Sequence, residues 1–130
     1  MSKFLFDTVA LIDIYRGRSL MRSRYESVLA GKTLAFISVI TEAELWRGIK
    51  PSETDRHEAI LSRFSILPLD SDAARLAGFW MQQYHSQGLG WMDALIVATA
   101  KQADLRVLTR DKKLAQVLSN QATFEVYIQR

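Results

Sequence analysis

The segment Lys3-Phe4-Leu5-Phe6-Asp7-Thr8 constrains this chain more than any other, because a short apolar strand stops there on a carboxylate. A helical run, Val9 to Tyr15, begins at once. The same order of strand, hydroxyl, carboxylate and helix returns at Leu105-Arg106-Val107-Leu108-Thr109-Arg110-Asp111, with a short helix from Lys112 to Leu118. Strands that alternate with helices in this way form a parallel sheet under right-handed crossovers. In such sheets ligands sit outside the carboxyl ends of the strands, where strand order reverses. Asp7 also has a plainer reading as a helix N-cap, with Thr8 as an alternative cap.

Between these segments the pattern continues. Gly17 is placed to end the first helix. Ser19 opens a second, with Met21, Tyr25, Val28 and Leu29 at helical spacing and a stop at Gly31. Lys32–Ile37 reads as the second strand, ended by Ser38. For the helix beyond it two starts compete. With Thr41 as N-cap, Thr41 and Glu44 form a capping box and Glu44 is structural. With Ser38 as N-cap, Glu44 lies about two turns in and needs another reason to be there; the end of the strand pattern at Ser38 favours this second start. Lys50-Pro51 breaks the chain, and Ser52 is expected to cap a third helix through Ala59, Ile60 and Phe64. Ile66–Leu69 is a short strand whose Pro68 argues for a sheet edge. A long helix follows from Asp70, Ser71 and Asp72, with Ala73, Leu76, Ala77, Trp80 and Tyr84 on one apolar stripe, ending at Gly88-Leu89-Gly90. The stretch from Asp93 to Lys101 carries no charge between its ends, as expected of a helix buried nearly all round. Thr123–Tyr127 is the last strand. His57 and His85 fall on polar faces and read as surface residues.

If the early strands step one way from the first and the fourth returns to its other side, the sheet order is 3-2-1-4-5. Residues 1–130 then form one α/β domain, a five-stranded parallel sheet flanked by helices. Asp7 and Asp111 end the two strands at the reversal, and Glu44 and Asp93 lie on helices able to reach the same crevice. Asp93 has no basic residue within a turn, and a buried charge is costly unless paired or bound to metal. Carboxylates gathered without basic partners repel, at roughly 3 kcal/mol per pair about 5 Å apart in an effective dielectric of ~20. A hard divalent cation resolves that conflict, and an all-oxygen donor set suits Mg²⁺ or Mn²⁺ rather than zinc. Such cations act on phosphate esters.

Composition supports a polyanionic partner only mildly. Seventeen Lys and Arg against fourteen Asp and Glu give a net charge of +3. The excess is concentrated, however, since Arg16, Arg18, Arg22 and Arg24 run together with no acid among them. That run reads either as a solvated helix face or as a phosphate-contacting stripe, together with Arg110, Lys112 and Lys113. Hydrophobic residues make up 48% of the chain, which argues against disorder. No apolar run is long enough for a membrane span, and Asp7 interrupts the one stretch that could resemble a signal peptide. The absence of Cys is compatible with a reducing cytoplasm.

Phe6-Asp7-Thr8, Ser38…Thr41…Glu44-Leu45…Gly48, Asp93 to Ala100 and Thr109-Arg110-Asp111 together resemble the PIN domain. More narrowly they resemble the VapC-type toxin ribonucleases of toxin–antitoxin pairs. Each motif alone is weak, but four in this order are fairly specific. The resemblance implies that Asp7, Glu44, Asp93 and Asp111 bind Mg²⁺ or Mn²⁺, with Thr8 and Thr109 in support. It implies endonucleolytic cleavage of RNA that leaves a 5′-phosphate and a 3′-hydroxyl, a homodimeric state, and silencing by a cognate antitoxin protein. After Asp-Thr the family commonly has Asn or Ser, where this chain has Val9. Two rival readings are a PIN-like module that binds RNA without cutting it and a receiver domain. In the receiver reading Asp70 is the phosphoacceptor and Thr109 its hydroxyl partner. That family wants paired acids after the first strand and a Lys at the end of the last, and this chain has neither.

Overall fold

A computed structural model of the chain describes residues 1–128. Five parallel strands, β1 (Ser2–Phe6), β2 (Thr33–Ser38), β3 (Ser65–Leu67), β4 (Arg106–Thr109) and β5 (Phe124–Val126), form one sheet in the order β3-β2-β1-β4-β5. This is the expected order. β1 is central, pairing with β2 on one side (Phe4 opposite Ala35) and with β4 on the other (Phe6 opposite Leu108). Chain direction across the sheet therefore reverses between β1 and β4. A crevice opens at the carboxyl ends of these two strands for topological reasons alone.

The helices are α1 (Thr8–Tyr15), α2 (Ser19–Leu29), α3 (Val39–Gly48), α4 (Thr54–Leu61), α5 (Ser71–Tyr84), α6 (Trp91–Gln102) and α7 (Lys112–Val117). Because side chains alternate across a strand, β1 divides its apolar residues between two cores. Phe4 and Phe6 join Ala10, Leu11, Met21, Ile37 and Ile60 on the side of α1, α2 and α4. Leu5 faces Ala77, Trp80, Val97 and Val107 on the side of α5, α6 and α7. Near-continuous apolar strands are what a parallel sheet covered on both faces requires.

Most sequence expectations hold. Residues 94 and 96–100 of α6 are all buried, in keeping with a helix free of charge between Asp93 and Lys101. α5 buries Ala73, Ala77 and Trp80 from its predicted stripe. β3 lies at the sheet edge as expected, but it spans Ser65–Leu67, so Pro68 follows the strand rather than lying within it. Two expectations fail locally. Ser52 does not cap a helix; it lies inside a 3-10 turn, Pro51–Glu53, whose Glu53 carboxylate accepts the Lys50 N–H at 2.8 Å before α4 begins at Thr54. His57 is not a surface residue either. It is 1% exposed, with its ring set edge-on against Trp46 and its Nδ1 paired with the Tyr15 hydroxyl. Burial lowers its pKa and so favours the neutral imidazole. His85 is exposed as expected.

Trp80, 1% exposed, is the largest fully buried side chain. Trp80→Ala should cost about 3 to 5 kcal/mol of stability through lost transfer energy and a residual cavity. Urea denaturation followed by circular dichroism measures this, and a loss under 1 kcal/mol would mean that the α5–α6 layer repacks.

Candidate active site

The four acids named from the sequence come from four different elements. Asp7 is the N-cap of α1, and its Oδ1 accepts the Ala10 N–H at 2.9 Å. Asp111 is the N-cap of α7, accepting the Leu114 N–H at 3.0 Å. Asp93 lies in the first turn of α6, whose N-cap is Gly90. Glu44 lies inside α3, whose N-cap is Ser38, accepting the Ile40 N–H at 3.0 Å. A start at Ser38 removes the capping box, so Glu44 is free of that structural task.

Capping and a place in the crevice are compatible for Asp7. One oxygen holds the helix start, while the strand end below is fixed by the Asp7 N–H bonding the Leu108 carbonyl at 3.2 Å. Asp7 is only 4% exposed. Burial pushes its pKa up to about 6, opposed by the facing Thr109 hydroxyl and Ala10 N–H and reinforced by the charges of Asp93 and Asp111. The pKa of Asp93 is likewise raised, first by burial and then by Asp111 and Glu44. Each of the four acids is thus close enough to influence at least one of the others.

Hydroxyl groups orient this set. Thr8 donates to Glu44 Oε1 at 2.6 Å, and Thr8 Oγ1 lies 3.0 Å from Thr41 Oγ1. With its single proton engaged on Glu44, Thr8 must accept from Thr41. Thr109, fully buried, accepts the Asp111 N–H at 3.0 Å and so shapes the turn that carries that acid. Thr8 and Thr109 were expected here. Thr41 was read as a rival cap, and its contact with Thr8 is set by the packing of α3 beside α1.

No three of these carboxylates, nor any other three His, Cys, Asp or Glu among the described residues, form a ready-made cation cage. Their chemistry nevertheless fits a hard cation. All donors are oxygen, and the ion pairs among the described residues fall on Asp13 and Glu125, with none on Asp7, Glu44, Asp93 or Asp111.

The basic stripe is less uniform than the sequence suggested. Arg18 and Arg110 both pair with Asp13, and Arg24 pairs with Glu125 while lying over the Phe4 ring. Arg16, Arg22 and Lys112 are exposed and carry no ion pair among the described residues. Asp13 itself escaped the sequence reading. Its signal was an acid inside the apolar run Val9 to Tyr15, which had to find a partner.

Residues 4–118 match the PIN domain family. The chain belongs to the PIN-domain family. It is 37% identical over 109 residues to ribonuclease VapC10 of Mycobacterium tuberculosis, covering 81% of this chain and 80% of that protein. Its fold superposes on a toxin–antitoxin complex from Klebsiella pneumoniae with a TM-score of 0.79 at 29% identity, covering 98% and 99% of the two chains. A DNA-bound VapBC from Salmonella typhimurium gives a TM-score of 0.79 at 25% identity, covering 98% and 100%. The receiver reading falls with this membership. Asp70 caps α5 beyond the edge strand β3, with β2 and β1 between it and the strand of Thr109.

The raised pKa of Asp7 has a consequence for the metal-free protein. Between about 3.8, its ordinary value, and about 6 the fold holds this proton more readily than the unfolded chain does. The contribution to stability is therefore full below pH 3.8 and is lost as pH rises through about 6. The loss is on the order of 3 kcal/mol. In EDTA, the wild type should lose melting temperature between pH 5 and pH 7.5 relative to Asp7→Asn, which keeps the cap without the charge. Parallel pH profiles for the two proteins would contradict the burial of this charge.

Proposed function

We propose that this PIN-domain protein is a metal-dependent endoribonuclease, acting in the cytoplasm as the toxin of a toxin–antitoxin pair. The observation that carries the proposal is the set of four carboxylates at the switch point, drawn from four elements and free of Lys or Arg partners among the described residues. Asp7, Glu44, Asp93 and Asp111 are the residues that would hold Mg²⁺ or Mn²⁺. When bound, such a cation supplies Lewis acidity to a phosphoryl group and activates water as the nucleophile. The chain's own contribution is to aim the donors. Asp7 and Asp111 are fixed by their caps, and Glu44 by the Thr8 hydroxyl. His57 is buried against Tyr15 and Trp46, so it is not available in the crevice as a general base.

For the RNA, Arg16, Arg22 and Lys112, exposed and without an ion pair among the described residues, take the phosphate-contacting role. A cognate antitoxin is supported by the toxin–antitoxin complexes that the fold resembles. A homodimer belongs to the same proposal, with exposed apolar surface available at Phe79, Trp91 and Met92.

A second reading, an RNA-binding module without cleavage, draws on the lack of a preformed cation cage among the described residues and on Val9 after Asp7-Thr8. Cleavage assays separate the two. Purified protein should cut RNA in Mn²⁺ or Mg²⁺, lose activity in EDTA, and leave a 5′-phosphate and a 3′-hydroxyl. RNA that is bound but never cut with metal present would favour the second reading, and 2′,3′-cyclic phosphate ends would refute the metal-assisted mechanism. In cells, the wild-type chain alone should arrest growth and Asp7→Asn should not.

Asp93→Asn provides a test independent of turnover. It should stabilise the metal-free protein by about 1 to 3 kcal/mol by relieving repulsion, and should shrink the stabilisation by Mn²⁺, ~2.7 kcal/mol in the wild type at 100 times the dissociation constant. If Asp93 served only the helix dipole, the substitution would cost ~0.3 to 1 kcal/mol with or without metal. For the RNA surface, Arg16→Ala with Arg22→Ala should lower the log–log salt slope of RNA binding by about 0.7 per lost contact on a single strand. An unchanged slope would make both residues a solvated face.

A further inference from the structure

Asp13 is fully buried, yet it is not one of the four acids proposed for the crevice. Its Oδ2 accepts from Arg110 Nε at 2.9 Å and from the Tyr127 hydroxyl at 2.6 Å. Arg18 Nε lies 3.1 Å from Oδ1 but is poorly aligned, so that contact is an ion pair without a good hydrogen bond. Arg18 is tied more firmly through its backbone, whose N–H bonds the Asp13 carbonyl at 2.9 Å. The two well-formed bonds to the carboxylate both come from the far end of the chain. They hold the bond direction on Oδ2, while the second guanidinium balances charge.

Arg110 and Tyr127 are placed so that this grip reaches the proposed metal-binding acids. Arg110 stands between Thr109 and Asp111, in the turn from β4 to α7. Tyr127 holds the same turn by its backbone, donating its N–H to the Thr109 carbonyl at 3.0 Å. Asp13 lies in α1, the helix whose N-cap is Asp7. One buried carboxylate therefore joins the helix that starts at Asp7 to the turn that presents Asp111, across the reversal between β1 and β4.

We propose that Asp13, Arg110 and Tyr127 form a positioning clamp that sets the separation of Asp7 and Asp111 for cation binding. In this assignment Arg110 acts through Asp13 and not through RNA phosphate. The clamp rests on the nuclease reading of the crevice. It predicts that loosening Asp13 alters metal affinity without removing any metal ligand, an effect of the kind that partners of ligating residues exert, about 10- to 100-fold.

The test uses the full-length chain and three variants, Tyr127→Phe, Arg110→Met and Asp13→Asn. Tyr127→Phe removes only a hydroxyl and is the variant expected to fold without difficulty. Metal-free melting temperature is recorded first, then the Mn²⁺ midpoint from thermal-shift titration, then kcat and KM on a cleaved RNA. The clamp predicts a Mn²⁺ midpoint raised about 10-fold or more for Arg110→Met and Asp13→Asn, and raised less for Tyr127→Phe. It also predicts kcat reduced at saturating RNA with KM little changed, since no phosphate contact has been lost. The double variant Asp13→Asn with Arg110→Gln restores a neutral hydrogen-bonding pair and should recover part of the midpoint. A melting temperature that falls while the Mn²⁺ midpoint stays at the wild-type value would make the cluster purely structural and overturn the clamp. A raised KM with unchanged kcat would return Arg110 to the RNA surface and overturn it equally. A wild type with no Mn²⁺ midpoint at all would overturn the nuclease reading itself, and the clamp with it. A wild-type midpoint left unmoved in all three variants overturns the clamp alone.

Discussion

A carboxylate buried at the end of the central strand is the constraint around which this structure is arranged. Asp7 is nearly without solvent, and a charge so placed must be compensated by backbone dipoles, hydroxyls or a cation. The Ala10 N–H and the facing Thr109 hydroxyl supply part of that compensation. They do not supply all of it, because the pKa remains raised and the charges of Asp93 and Asp111 raise it further. The remainder is what the proposed cation would provide. The position is possible because β1 pairs in parallel on both sides, leaving the reversal of strand order at its carboxyl end.

The two buried acids of α1 solve the same problem in opposite ways. Asp13 is given two guanidiniums and a phenol, and burial raises the pKa of that Tyr127 hydroxyl far above its ordinary value. Asp7 receives no cationic partner. A buried ion pair contributes little net stability against an apolar replacement, since desolvation offsets most of the attraction. What it does supply is a fixed geometry between α1 and the β4–α7 turn. Pairing one acid and leaving the next without a cationic partner anchors α1 at Asp13 and leaves Asp7 for the proposed cation. The same division sorts the arginines: those held by Asp13 and Glu125 belong to the fold, while Arg16 and Arg22 remain open to solvent.

Much of the architecture was legible in the sequence for plain physical reasons. Short apolar strands, each of the first four followed by a helix, leave little besides a parallel sheet. The uncharged run from Asp93 to Lys101 had to be a buried helix. The candidate acids were legible because three of them sit at strand ends or helix starts, where side-chain direction follows from the backbone. Glu44 was harder, since its meaning turned on whether the helix began at Ser38 or Thr41, and a helix boundary is settled by a hydrogen bond that sequence does not display.

What the sequence by itself determined was the alternation of elements, most of their buried faces and the candidate acids at strand ends and helix starts. Local periodicity and capping chemistry suffice for these, because each depends on residues within a few positions of one another. Only the tertiary structure decided which charges meet. Asp13 finds Arg110 and Tyr127 from the opposite end of the chain. His57, polar-faced on its own helix, is buried by Trp46 and Tyr15 from two others. The Arg stripe is parted by acids distant in sequence. Pairings of that kind depend on how the crossovers bring remote segments side by side, and a buried charge takes whichever partner the packing leaves within reach.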